Sequence, residues 1–159
     1  MLLGGPQEVR HRAGTENVWG IYAFGVAART FIARGEALRK VMREHREVIE
    51  SELLRAVPDC VVHRCEEQSL SNTLSVRIPG IPADDLVVAL DLEGVCISSG
   101  AACASGKPEP SHVLRAWGLS EQEARHTIRI STNGMLRNDE VVRGAEVLVR
   151  TIRHMRSAQ

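Results

Sequence analysis

The sequence predicts an α/β sandwich, about four strands with helices packed on the sheet, and three observations predict it. Apolar residues recur at three- and four-residue steps in some stretches and at two-residue steps in others, so both helices and half-buried strands are encoded. Glycine or proline stands at most junctions between these stretches. No internal repeat or low-complexity tract interrupts the alternation.

Taken in order, residues 1–16 carry Gly4-Gly5-Pro6, Arg10, Arg12 and Gly14 without an apolar period, and they read as a loop. From Asn17 the spacing of Val18, Ile21, Tyr22, Gly25, Ala28 and Ile32 predicts a helix, with Thr15 or Asn17 as its N-cap and Arg34-Gly35 as an interruption. A second helix is expected over 36–57, where Leu38, Val41, Val48, Ile49, Leu53 and Ala56 form a stripe, and Pro58 stops it. The period then changes. Residues 60–64 suit a short strand, and 73–78 alternates with Leu74, Val76 and Ile78 on one face before Pro79-Gly80. A helix over 84–93 turns Leu86, Val87 and Leu90 inward and ends at Gly94, and 95–98 reads as a third strand.

After a loop of small residues, Ser111 caps a short helix reaching Trp117 and ending at Gly118. Ser120 and Glu123 have the spacing of a capping box. Residues 126–131 alternate again, with Ile128 and Ile130 buried and Thr127 and Arg129 on the opposite face. A final helix from about Asn138, which also serves as its cap, carries Val141, Ala145, Leu148, Val149 and Ile152.

Composition narrows the function classes. The 159 residues match one domain, and a chain of that length buries roughly 70% of its unfolded surface. Hydrophobic residues at 43% and charged residues at 25% argue against disorder, a collagen or a membrane protein. Twenty basic residues balance twenty acidic ones, so no overall field draws nucleic acid or an anionic membrane. Apolar runs stay far below the roughly 18 residues that span a bilayer, and Met1-Leu2-Leu3-Gly4 lacks a signal peptide's regions, so the expected compartment is the cytoplasm. Cys60, Cys65, Cys96 and Cys103 are too few and too irregular for a disulfide framework, and none shows C-x-x-C spacing. They are expected to be free thiols.

One segment has the composition of a reactive site. Ser98-Ser99-Gly100-Ala101-Ala102-Cys103-Ala104-Ser105-Gly106-Lys107 surrounds its cysteine with small side chains, so few contacts pin it and it is expected to be mobile. An exposed thiol near Lys107 has the setting of a nucleophile, its pKa drawn down from about 8.5. Composition alone is better satisfied by a tight turn around an inert buried thiol. His45 lies on an apolar stripe and reads as packed, not as a ligand.

The string 98–103, followed by Glu109-Pro110-Ser111 and Val113-Leu114-Arg115-Ala116, resembles the active-cysteine loop of NifS- and IscS-type cysteine desulfurases. Similarity extends to Gly4-Gly5-Pro6-Gln7-Glu8, Arg12-Ala13-Gly14-Thr15-Glu16-Asn17-Val18, Asn72-Thr73-Leu74 and Thr127-Ile128-Arg129-Ile130-Ser131, so ordered motifs cover almost the whole chain. The resemblance implies the C-terminal portion of a fold-type-I enzyme dependent on pyridoxal phosphate (PLP). Residues 1–34 are then the tail of the PLP-binding large domain, and 35–159 are a small domain with a mainly antiparallel sheet of about four strands, entered through a long connecting helix pair.

In that family an enzyme cysteine takes sulfur from L-cysteine, leaving L-alanine and an enzyme persulfide, and Cys103 matches that cysteine. Arg129 matches the arginine that binds the substrate carboxylate; apart from the resemblance it reads as an exposed strand arginine. Thr15 matches a threonine that reaches the cofactor phosphate of a neighbouring subunit, a role compatible with capping a helix, and this implies a homodimer. A sulfur-acceptor protein such as an iron–sulfur scaffold is the implied partner. The family's Schiff-base lysine has no counterpart here, since Lys40 and Lys107 are the only lysines and neither matches it. Pro6 replaces a family glycine, and Asn133-Gly134-Met135-Leu136-Arg137 departs from the usual G-R-x-T-T. The expectation is therefore a desulfurase fragment that does not hold PLP covalently by itself. Two alternatives stand beside it: a non-catalytic persulfide carrier or subunit-binding module using Cys103, and a metal-binding cysteine protein.

Overall fold

The computed structural model of the chain describes residues 4–64, 69–100 and 110–158. These form two compact units, Met1–Ala37 and Leu38–Gln159. One helix, α1 (Val18–Ala56), begins in the first and ends in the second.

In the first unit the expected loop contains one short 3-10 turn, Gln7–Arg10, with Glu8, Val9 and Arg10 all in the left-handed region. Arg12 ties the loop together, donating to the carbonyls of Gly14 at 3.2 Å and Thr15 at 2.9 Å and pairing with Glu8 at 3.0 Å. Of the two candidate caps for α1, Asn17 takes the role: its Oδ1 accepts from the Gly20 N–H at 3.0 Å. The helix pair expected on either side of Arg34-Gly35 is a single helix. Glycine costs about 1 kcal/mol against alanine inside a helix but keeps its N–H and C=O, so the hydrogen-bond ladder passes through it where proline would have broken it. Within this unit Trp19, Phe24 and Ile32 are 85%, 77% and 83% exposed, and with Tyr22 and Phe31 they spread apolar surface around most of the helix.

The second unit holds a four-stranded, wholly antiparallel sheet in the order β1-β2-β4-β3. Its strands are β1 (Val61–His63), β2 (Thr73–Arg77), β3 (Ser98–Ser99) and β4 (Thr127–Ser131). Helices α2 (Ala83–Leu92), α3 (His112–Ala116), α4 (Glu121–Arg125) and α5 (Asn138–Ser157) complete it. The core joins Leu53 of α1 and Val57 just past its end, Leu86 and Leu90 of α2, and Leu148 and Ile152 of α5 to Val76 and Ile128 of the sheet, each at most 2% exposed. Burial of one such side chain is worth about 1.5–3 kcal/mol. At the rim, Arg156 grips both Asp59 oxygens at 2.9 Å and the Pro79 carbonyl at 3.0 Å, fastening the end of α5 to two loops. Its hydrogen bond holds the Asp59 carboxyl below its usual pKa.

Local signals fared well. Ser111 accepts from the Leu114 N–H, Ser120 and Glu123 complete their capping box, and Gly94 and Gly118 end their helices at φ +79° and +98°. His45 is 2% exposed and its Nε2 lies 3.2 Å from the Asn138 Oδ1. Three expectations need correction. The third strand is Ser98–Ser99 and not 95–98, because the Val95 N–H is already given to the Leu90 carbonyl in the turn that closes α2. Thr127 is 1% exposed although it lies on the non-core face, because α4 returns over it and the Glu123 carbonyl accepts its hydroxyl at 2.8 Å. Asn138 is the first residue of α5 and not its cap; Arg137 caps it, with Glu140 accepting the Arg137 N–H at 2.8 Å.

Candidate functional site

The face of the sheet turned away from the core is polar. Strand alternation and register bring His63, Ser75, Arg77, Ser98, Thr127 and Arg129 to it: Ser75 and Ser98 are the cross-strand partners of Arg129 on either side, and Arg77 is that of Thr127.

One end of this face is closed by α3 and α4. The His63 ring meets Trp117 edge-on, centroids 5.4 Å apart at 72°, and its Nε2 lies 3.4 Å from the Thr127 Oγ1. Arg77 pairs with Glu123. Burial holds the His63 ring below its ordinary pKa of 6.5, Arg77 adds to that, and Glu123 opposes it. A histidine whose folded value is depressed contributes stability fully present above its unfolded pKa and lost as pH falls through the folded value, because the unfolded chain takes up a proton that the fold resists. The melting temperature should therefore drop between about pH 7.5 and about pH 5.5, and drop less in His63→Phe, which keeps the ring contact without the titration. Equal pH dependence in the two chains would show that His63 is not the group responsible.

Arg129 lies toward the other end of this face. Arg129 is half-buried and makes no ion pair among the described residues, and its Nε is buried without a hydrogen-bond partner. Leaving such a donor unmade costs about 1–3 kcal/mol, so the arrangement favours an anionic acceptor brought from outside, above all a carboxylate that the planar guanidinium grips with two parallel bonds. Arg77, two strand positions away, likewise has a buried Nε without a partner and differs only in its ion pair with Glu123.

Two positions along β4 from Arg129, opposite Thr127, the chain enters the cysteine-bearing segment. The Gly100 N–H donates to the Thr127 carbonyl at 3.0 Å, one step beyond the β3–β4 pairing. The segment rejoins the described chain at Pro110, and Ser111 stands against Gly100: a β-carbon on Gly100 would lie 3.2 Å from the Ser111 Cβ. Ser75 and Ser98 escaped sequence reading as a pair, because only strand order and register place them on either side of Arg129.

Of the residues singled out from sequence, Arg129 therefore sits on this polar face, while Cys103 lies outside the described residues, as do Cys65 and Lys107. Thr15 is exposed in the first unit, two residues ahead of the Asn17 cap. Cys60 is buried and Cys96 exposed, its Sγ 3.5 Å from the Asp91 Oδ1. Among the described residues no three His, Cys, Asp or Glu side chains gather as metal ligands. Two clefts open elsewhere in the second unit. One, of about 240 Å³, is lined by Arg46, Glu50, Arg64 and Thr73 among others, and one of about 170 Å³ is mainly apolar and lies between β4, α5 and Ile97.

Comparison with known proteins places this geometry. The profile of the class-V aminotransferases matches residues 5–143. A cysteine desulfurase of Trichormus azollae is 38% identical over 157 residues, covering 99% of this chain. Cysteine desulfurase IscS 1 of Archaeoglobus fulgidus is 35% identical over 158 residues, and cysteine desulfurase NifS of Azotobacter vinelandii is 34% identical over 143. Among solved structures, a NifS-like protein from Rickettsia africae superposes with a TM-score of 0.80 at 29% identity over 99% of this chain. The chain spans 39% of the length of the Trichormus and Rickettsia proteins.

Proposed function

The chain belongs to the class-V aminotransferase family, and we propose that it is the sulfur-accepting part of a PLP-dependent cysteine desulfurase, with Cys103 as the accepting thiol and Arg129 as the carboxylate-binding residue. The observation that carries this reading is the part-buried Arg129, whose Nε has no hydrogen-bond partner and which makes no ion pair among the described residues, on the strand next to the one that leads into the Cys103 segment.

The described residues suit one part of PLP. Thr15 is exposed ahead of the N-terminus of α1, where backbone amides favour an anion, so it suits the phosphate. Lys40 is exposed on α1, and no described amine is placed for the aldehyde. Bound PLP supplies an electron sink that weakens the carbon–sulfur bond of the substrate. Arg129 holds the carboxylate of L-cysteine and so fixes where its sulfur points. The Cys103 thiolate attacks that sulfur: a sulfur–sulfur bond forms, the carbon–sulfur bond breaks, and its electron pair stays on carbon, which takes a proton to give L-alanine. The persulfide on Cys103 then passes its terminal sulfur to an acceptor such as an iron–sulfur scaffold.

Within this reading residues 1–34 belong to the large, PLP-binding domain and 35–159 to the small domain, which the division of the chain into compact units after Ala37 supports. Thr15 serves the phosphate of a second subunit, making the working form a homodimer. A cytoplasmic location accords with the finding that no helix among the described residues is long and apolar enough to cross a membrane. The alternative, a persulfide carrier without turnover of its own, draws on the scarcity of lysine.

A chimera decides between them. Joining this chain to the part of a cysteine desulfurase relative that it does not cover should yield an enzyme that binds PLP and releases L-alanine from L-cysteine. A chimera that binds PLP, folds and releases no alanine would reject the catalytic reading, and a persulfide on Cys103 delivered by an intact desulfurase would then favour the carrier.

A further inference from the structure

We propose that Ser75 and Ser98 are substrate-binding residues, their hydroxyls donating to the carboxylate that Arg129 grips and so completing its shell of donors. The inference rests on the reading of Arg129 as the carboxylate-binding residue and adds two side chains to that site.

Register places both beside it. Ser75 on β2 and Ser98 on β3 are the direct cross-strand partners of Arg129, one on each side, and all three are half-buried. Residues opposed in this way on one face have Cβ atoms about 4.5–5.5 Å apart, close enough to share a ligand. Nε is the guanidinium donor nearest the backbone. A carboxylate that meets the orphan Nε of Arg129 therefore lies low on the face, near the level of the serine hydroxyls. Such a group has about four lone-pair sites, of which a guanidinium fork fills only part. The flanking hydroxyls supply donors for the rest.

The neighbouring row of the same face shows a closed counterpart. There Arg77 lies between Val61 and Thr127. Its charge is met by Glu123, and the Thr127 hydroxyl is given to the Glu123 carbonyl at 2.8 Å. The row of Arg129 runs His63, Ser75, Arg129, Ser98 and contains no carboxylate. Neither serine hydroxyl bonds to another described residue. One row has thus spent its cation and its hydroxyl internally, while the other keeps a cation and two hydroxyls for an anion from outside.

The test is equilibrium binding to the full chain, with L-alanine as the probe because it carries the carboxylate and no thiol. The Arg129 Nε–H signal, identified by its loss in Arg129→Met, is followed by NMR during titration at constant ionic strength. It should shift saturably with L-alanine and stay in place with L-alaninamide, which lacks the carboxylate. Threonine and valine have nearly the same shape and differ in the hydroxyl, and both suit a strand. Replacing both serines by valine should weaken L-alanine binding by about tenfold or more, whereas replacing both by threonine should keep it within about twofold. If the valine pair does not fold, Ser75→Ala with Ser98→Ala decides in its place, and the same loss is expected. Loss with valine or alanine and retention with threonine supports the proposal. Equal weakening by threonine and valine would make space, not the hydroxyls, the requirement and overturn it. Undiminished binding in the folded variants without hydroxyls would overturn it too, while leaving Arg129 as the carboxylate-binding residue. Absence of any saturable shift in the unsubstituted chain would sink that reading of Arg129, and this proposal with it.

Discussion

Cys103→Ser is expected to abolish sulfur uptake by this chain, by at least about a thousandfold, because a nucleophile is replaced by a hydroxyl with neither the acidity nor the sulfur affinity of a thiol. The measurement needs only the chain, an intact cysteine desulfurase and L-cysteine, with the mass of each cysteine peptide read after alkylation. The other thiols are internal controls whose behaviour follows from their surroundings. Cys60 is 6% exposed, and burial pushes its thiol pKa up, with Asp59 adding to the effect and Arg156 opposing it, so thiolate is scarce there. Cys96 is exposed, so it tests whether exposure alone suffices. Sulfur appearing on Cys103 and vanishing in Cys103→Ser, with Cys60 and Cys96 unmodified, is the expected pattern. Equal loading of Cys96 and Cys103 would mean that the donor labels any exposed thiol, and the assignment would fail.

The parts of the fold that were legible in the sequence are those decided within a few residues. Ser120 and Glu123 are three apart, and their reciprocal bonds need nothing else. Gly94 and Gly118 end helices through conformations that glycine adopts without strain, again a local matter. The alternation in 73–78 and 126–131 named the core residues Val76, Ile78, Ile128 and Ile130 because period 2 maps directly onto the two sheet faces.

What was misread depends on partners remote in space or on competition for one group. The stretch 95–98 has strand composition, yet the Val95 N–H is committed to Leu90, and only Ser98 and Ser99 remain to pair. The burial of Thr127 requires α4 to fold back over the outer face, which no alternation announces. The site divides in the same way. Arg129 and Cys103 were reached through resemblance, since composition favoured an exposed arginine and an inert thiol. Ser75 and Ser98 flank Arg129 only because β4 lies between β2 and β3, a crossing order that hydrophobic period cannot encode.

Arg129 offers the second large effect, and one in which activity and stability are expected to move in opposite directions. In the active chimera, Arg129→Met removes two charge-assisted hydrogen bonds to the substrate carboxylate, each worth about 1.5–3 kcal/mol, so kcat/KM should fall by at least about 10²-fold. Arg129→Lys keeps the charge but not the planar fork, and an intermediate loss of roughly tenfold is expected. In the chain without substrate the balance reverses, because the guanidinium Nε is buried with nothing to accept its proton and the described residues provide no carboxylate. Methionine keeps an apolar stem of similar length and leaves no donor unmade, so Arg129→Met should melt no lower than the unsubstituted chain and higher by up to about 1 kcal/mol of stability. A residue that costs stability while unoccupied and is needed when substrate binds is held there for the ligand. Destabilisation of Arg129→Met by more than about 1 kcal/mol, with kcat/KM unchanged, would make Arg129 a structural strand residue and remove the ground on which the site was assigned.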